Sequence, residues 1–397
     1  MAFHGVDYFA TDELLTEDER LVQRTFRRFA DEELMPIIAQ HFRAGTFPPW
    51  LPRKLGELGA LGAHLHGYGC AGLGPTAYGL IMQELERVDS GFRSFASVQG
   101  SLVMFPIHAY GTEAQKEAWL PRMAAGEAIG CFGLTEPDFG SNPNGMRTTA
   151  VKRGNQWILS GEKRWITSGG IADVAVVWAR AVESEAEAGA SGAIRGFLVE
   201  RGTPGFTTRD IEGKFSLRAS VTSELIFEDC ALPLTALLPG VSGMKGPLSC
   251  LSEARFGIAW GVIGSAMACY DEALRYTKDR VQFSRPIAGY QLVQAKLVDM
   301  LEDITSAQLI AHRLGRLKEA GKARPQHVSF AKRHNVRIAL GTARVARDLL
   351  GANGITDEYQ CGRHMLNLES VYTYEGTHDI HTLVVGQDIT GLAAFDG

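Results

Sequence analysis

The spacing of apolar positions divides the chain into three stretches. From residue 13 to about 128 the pattern is helical. Glu13 to Glu33 is charged on one side and carries Leu21, Phe26 and Phe29 on the other, and Met82 to Val88 and Gln115 to Met123 are further helical stretches. The glycine-rich segment His64 to Gly74 reads as turns. From 129 to about 232 branched and aromatic residues gather in short runs bounded by Gly, Pro or Asp, which predicts strands at 173–181, 196–201 and 223–229. Trp157 to Ile166 predicts two short strands around a turn at Gly161 and Glu162. Residues 184–192 (SEAEAGASG) lack an apolar anchor and predict a mobile surface loop. After about 245 helix returns. Leu297, Met300, Leu301, Ile304, Ala307, Ala311, Leu314 and Leu317 recur at three- and four-residue steps, and His327 to Leu350 repeats the pattern with a basic outer face. Both stripes are wide enough to pack in a bundle. The order is therefore helical, then strand-rich, then helical.

Composition narrows the function classes. A chain of 397 residues is long enough for two to three domains at about 150 residues each. The net charge of −5 gives no basic surface for nucleic acid. The 45 glycines exceed the usual share and suggest tight turns or close backbone approaches to a ligand. Six cysteines without paired or zinc-type spacing predict reduced thiols in the cytoplasm. The acidic first residues do not look like a targeting segment, and the uncharged run Phe256 to Tyr270 is too short to span a bilayer.

Several generic signals fail. Gly72-Leu-Gly74-Pro-Thr-Ala77 mimics a dinucleotide loop but follows no strand, and Pro75 removes a donor. His378 and His381 stand one helical turn apart without the further ligands a metal needs, so no metal site is expected. Three segments are more telling. Gly130 to Ser141 (GCFGLTEPDFGS) packs hydroxyls, small residues and backbone donors into a turn able to approach a planar or phosphorylated ligand, or forms a plain entry turn to a sheet. Trp165-Ile166-Thr167 ends a strand with an aromatic and a hydroxyl, and taken alone it reads as core packing. Tyr374-Glu375-Gly376-Thr377 places a carboxylate between two helical runs, as a helix cap or as a catalytic group.

Together with KFSLRAS, ARFGIAWG, DRVQFSRP, LLGANGITDEY and TYEGTHDIH, these segments give the chain, from about residue 15 to 396, a resemblance to the acyl-CoA dehydrogenase family. ERVDSGFRS (86–94), FSLRAS and TYEGTHDIH are most similar to its glutaryl-CoA dehydrogenase branch. The resemblance implies an α+β fold with an N-terminal helical domain (1–128), a central β-barrel-like domain (129–240) and a C-terminal four-helix bundle (241–397). It implies noncovalent FAD, an acyl-CoA substrate, a homotetramer and electron transfer to an electron-transferring flavoprotein. Glu375 falls on the catalytic base. Glu86, Arg93, Ser94, Ser97, Ser141, Leu248, Arg255, Tyr374 and Gly376 fall on substrate positions. Phe132, Leu134, Thr135, Gly140, Ser141, Trp165, Ile166 and Thr167 fall on flavin positions. Arg280, Phe283 and Gln291, with Asp348, Leu349, Leu350, Gly351, Ala352, Thr377, His378, Asp379 and Phe395, complete the cofactor set, the first three reaching a neighbouring subunit's FAD.

By resemblance the reaction is oxidative decarboxylation of glutaryl-CoA to crotonyl-CoA. An arginine at 93 would pair with the distal carboxylate; a salt bridge to Glu86 or Asp89 is the plainer reading of the same residue. The rivals are a dehydrogenase of another short or branched acyl-CoA or another dicarboxylate, an acyl-CoA oxidase, and an inactive homologue that binds CoA esters. The sequence departs from the family at Asn142, usually Asp; Ser284, usually Gly; Ala352, usually Gly; Gln387, usually Arg; and Ser252-Glu253, an Asn pair in close relatives.

Overall fold

The computed structural model describes residues 3–183 and 192–394. Most of the loop expected at 184–192, and Phe395 among the expected cofactor residues, lie outside the described residues. Seven helices come first: α1 (Glu17–Phe29), α2 (Met35–Ala44), α3 (Leu51–Glu57), α4 (Pro75–Val88), α5 (Ser90–Ser97), α6 (Phe105–Tyr110) and α7 (Glu113–Ala124). A reciprocal cap starts α1, with Glu19 N donating to Thr16 Oγ1 (3.3 Å) and Thr16 N donating to Glu19 Oε2 (2.7 Å). The buried face of α1 is Glu19, Gln23, Phe26 and Phe29, whereas Leu21 is exposed, contrary to the sequence expectation. The interior here takes Glu19 because Arg316 clamps its carboxylate at 2.6 Å.

The middle of the chain forms a seven-stranded curled sheet of β1 (Gly130–Gly133), β2 (Thr149–Arg153), β3 (Gln156–Thr167), β4 (Val174–Val182), β5 (Ala193–Glu200), β6 (Phe206–Asp210) and β7 (Thr222–Pro233). β1 and β2 both run parallel to β4, β5 pairs with β4 antiparallel, and β3 and β7 continue the sheet to β6. The two strands expected around Gly161 are one strand. Gly161 adopts φ 145° and absorbs an irregularity in the β3–β7 register without reversing the chain. A Cβ there would lie 2.5 Å from Thr148 Oγ1, so only glycine lets the strand pass.

Helices α8 (Lys245–Asp279), α9 (Gln291–Glu319), α10 (Pro325–Leu349), α11 (Gln360–Thr373) and α12 (His378–Thr390) complete the fold. Between α8 and α9 a small hairpin pairs β8 (Val281–Gln282) with β9 (Arg285–Pro286). The uncharged run 256–270 belongs to α8, whose glycines admit α4: a Cβ on Gly264 would lie 1.9 Å from Gln83 O, and one on Gly261 2.2 Å from Glu86 Oε2. Among the described residues no helix is long and apolar enough to cross a membrane. The architecture has the expected order: a helical part, a curled sheet and a second helical part.

Candidate active site

Glu375 sits on the turn joining α11 to α12, in the left-handed region at φ 53°, followed by Gly376 at φ 86°. Thr377 caps α12, accepting from Ile380 N at 3.1 Å. The Glu375 Oε2 atom is buried and has no hydrogen-bond partner. Burial raises the carboxyl above its ordinary pKa; the charges of Arg93, Lys332 and Arg255 oppose that rise without cancelling it. An unpartnered carboxylate with a raised pKa is suited to accept a proton from a substrate carbon.

Helix α5 supplies Arg93, Ser94 and Ser97, all buried, and α4 supplies Glu86. Arg93 is 0% exposed, and its Nε donates to Glu86 Oε2 at 2.6 Å. Ser90 donates to the other oxygen of Glu86 at 2.8 Å. Arg93 Nη2 donates to the Tyr374 hydroxyl, and Nη1 has no partner. The salt bridge considered from sequence is therefore present, to Glu86, while Asp89 instead caps α5 and pairs with Arg363 at 3.3 Å. Ser97 Oγ is also unpartnered. Burial works against the Arg93 charge, but Glu86, Tyr374 and Glu375 together outweigh it and the guanidinium remains ionised. Arg255, in the first third of α8, uses Nε on the carbonyl of Glu375 (2.7 Å), and Leu248, about two turns earlier in the helix, is exposed.

The segment after β1 is pinned from within. Lys163 Nζ donates to Leu134 O (3.1 Å) and Glu136 Oε1 (2.8 Å), and Glu136 also accepts from Arg147 N and from Thr148 N and Oγ1. Burial lowers Lys163 to about 8 against the pull of Glu136. The β3–β7 register slips between Lys163 and Ile166, so Arg164 and Trp165 bulge out of the ladder. Trp165 takes φ 62° and is 56% exposed. A bulge that turns an indole out of a sheet beside Thr135, whose carbonyl accepts from Arg164 N at 2.8 Å, offers a platform for a flat ring. Gly140 and Ser141 are exposed on the same loop. Phe132, Leu134 and Ile166 are instead core side chains, leaving only their backbone for a ligand. The exposed indole and the braced, glycine-bearing loop fit an isoalloxazine.

A second group lies at the other end of α11, roughly 20 Å of helix away. Arg280, Tyr276 and Asn353 line a cleft of about 520 Å³. Phe283 is 90% exposed and Gln291 is exposed. Asp348 pairs with Lys296 at 2.6 Å, and Gly351 turns the chain at φ 60° next to exposed Ala352. Leu349 and Leu350 are buried and serve the core. Back at the Glu375 end of α11, His378 stacks on Tyr372 (4.4 Å), Asp379 is exposed, and His381 is buried beside Gly376. Among the described residues no group of three or more His, Cys, Asp or Glu side chains could hold a metal ion.

Sequence reasoning missed two residues. Lys332 donates to Tyr374 O and to Gly376 O, the latter at 2.7 Å. Gln99 exchanges two 2.8 Å hydrogen bonds with the backbone of Gly130, tying the helical part to the start of β1.

Three family descriptions match: the N-terminal (16–127), middle (131–230) and C-terminal (242–390) domains of acyl-CoA dehydrogenase. A glutaryl-CoA dehydrogenase from Mycobacterium smegmatis, solved in complex with FADH2, is 52% identical with a TM-score of 0.95, over 98% of this chain and 99% of that one. Butyryl-CoA dehydrogenase from Megasphaera elsdenii is 32% identical with a TM-score of 0.88, over 94% and 98%. The human mitochondrial short-chain specific acyl-CoA dehydrogenase is 36% identical over 94% of this chain and 90% of its own length. With family matches over all three parts of the chain and relatives more than 30% identical along nearly its whole length, the chain belongs to the acyl-CoA dehydrogenase family, and its cofactor is FAD.

Proposed function

We propose that the protein oxidises glutaryl-CoA and decarboxylates the product to crotonyl-CoA. The observation that carries this reading is the unpartnered Nη1 of a fully buried Arg93, whose neighbouring nitrogen holds Tyr374, the residue before the base. A buried cation with a spare donor suits a distal carboxylate, which would otherwise be desolvated without a partner. The 52% identity to a glutaryl-CoA dehydrogenase, against 36% to a short-chain specific relative, supports the same reading.

Glu375 Oε2 takes the proton from Cα of the thioester. FAD, when bound, would supply the hydride acceptor for Cβ. Arg93 orients the chain by its far carboxylate, and Trp165 and the 134–141 loop would hold the flavin. In the unsaturated product the γ-carboxylate is allylic, so its C–C bond breaks to release CO2 and leave a dienolate. The acid form of Glu375 then returns a proton, giving crotonyl-CoA. The exposed Arg280–Phe283–Gln291 surface serves a neighbouring subunit's FAD in a homotetramer, and the electrons leave to an electron-transferring flavoprotein.

Dehydrogenation of a short monocarboxylic acyl-CoA is the second reading. It is favoured by Glu86, which already neutralises Arg93 and lets the pocket close on an uncharged chain. Anaerobic bleaching of the flavin across a panel of acyl-CoAs separates the two: glutaryl-CoA bleaches fastest on the first reading, butyryl-CoA on the second.

A further inference from the structure

Helix α10 was expected to turn its basic residues outward. Lys332 does the opposite: it is 1% exposed, and both its hydrogen bonds go to backbone carbonyls of the turn that carries Glu375. Arg255, from α8, donates to the carbonyl between them. Three successive carbonyls, of Tyr374, Glu375 and Gly376, are thus gathered by two cations from two different helices. Consecutive left-handed residues, the first of them not glycine, are disfavoured without such support.

We propose that Lys332 is a positioning residue for the base: its ammonium, shared between Tyr374 O and Gly376 O, holds Glu375 in the left-handed turn, and its charge favours the carboxylate form. The proposal rests on Glu375 being the base.

The surroundings support an electrostatic role beyond the scaffold. Burial lowers Lys332 to about 7, and Glu375 is the one nearby charge that favours its protonated form, while Arg255 and Arg93 disfavour it. Reciprocally, Lys332 is among the charges that restrain the rise of Glu375. The other titratable groups turned toward this pair are Glu86 from α4, Tyr374 before the base, and His378 and His381 on α12. His381, pushed down to about 2 by burial, adds no charge at neutral pH. Lys332 is therefore the one cation around Glu375 that can lose its proton near neutrality, since Arg93 and Arg255 cannot.

The test is stopped-flow flavin reduction against pH in the FAD-loaded enzyme, with glutaryl-CoA and butyryl-CoA, for Lys332→Met and Lys332→Gln. Both variants should move the rising limb of the profile upward by at least about half a pH unit, because a lost neighbouring cation raises a carboxyl pKa. Lys332→Met, which also removes the donors, should lower the plateau by roughly 10²-fold with substrate Kd changed less than about 3-fold. Lys332→Gln keeps an N–H donor and decides the question alone if the methionine variant does not fold. A glutamine variant with full FAD content and the parent's limb overturns the proposal. Glu375→Gln is measured beside them: if it reduces the flavin at the parent's rate, the base assignment fails; if it is inactive and the Lys332 variants behave as the parent, only the role of Lys332 fails.

Discussion

Arg93 and Tyr374 stand 281 positions apart in the chain and share a hydrogen bond, the guanidinium Nη2 donating to the phenol hydroxyl. This contact joins α5, which carries Arg93, to the turn that carries Glu375. In the proposed reaction, recognition of the distal carboxylate and proton transfer are thereby coupled through one residue step, from Tyr374 to Glu375.

Arg93→Met should reverse substrate preference. Loss of the cation lowers kcat/KM for glutaryl-CoA by roughly 10²-fold or more and leaves butyryl-CoA nearly unchanged. The single variant should also be less stable by about 3–5 kcal/mol, because Glu86 is left as an unpaired buried carboxylate. Pairing it with Glu86→Gln should recover much of that stability while the preference stays reversed. Denaturant unfolding and steady-state kinetics on both substrates check the two halves; equal losses on both substrates would give Arg93 a purely structural role.

Glu375→Gln should bind FAD and acyl-CoA but reduce the flavin slower by orders of magnitude, since an amide cannot accept the Cα proton. In the parent enzyme the base must be ionised. Its pKa is raised, so the reduction rate should climb with pH through a midpoint above the ordinary carboxylate range. Anaerobic stopped-flow absorbance across pH reads both effects.

The Glu136 brace should matter for the flavin loop. Burial raises its pKa, but Lys163 and the Arg147 and Thr148 donors outweigh that and leave it below the ordinary value. A carboxyl depressed in the folded state contributes stability above its unfolded pKa and loses it as pH falls through the folded one. Glu136→Gln should therefore cost about 1–3 kcal/mol at pH 7, loosen FAD, and leave a smaller loss of stability on acidification than the parent shows. Thermal melts at pH 7 and pH 4, with fluorescence titration of FAD, measure it.

Ser284→Gly should stabilise the hairpin between α8 and α9. Phe283 and Ser284 both lie in the left-handed region, at φ 51° and 68°, where a side chain is disfavoured by about 1 kcal/mol. Proteolysis at 281–286 should slow in the glycine variant. Ala352, by contrast, does not have positive φ, so its methyl group adds no comparable strain.

Much of this arrangement could be read from local pattern. The stripes of α9 and α10 follow from helical spacing, and the sequence 374–377 singles out Glu375 as either a helix cap or a catalytic group. Direction was harder to read. Lys332 belongs to a helix rich in basic residues, and nothing in its spacing says that it alone points at carbonyls 42 and 44 positions away. Leu21 looked like core by type, yet the buried place went to Glu19 because a distant Arg316 completes it. Gly161 looked like a reversal because glycine permits one, whereas pairing with β7 continues on both sides of it, across a register shift. In each case a contact distant in sequence decided what the local pattern left open.

Product analysis after a single anaerobic turnover with glutaryl-CoA tests the central claim most directly. The account predicts one CO2 and one crotonyl-CoA for each flavin reduced. Accumulation of glutaconyl-CoA without CO2, or a flavin that glutaryl-CoA leaves oxidised while butyryl-CoA bleaches it, would contradict it.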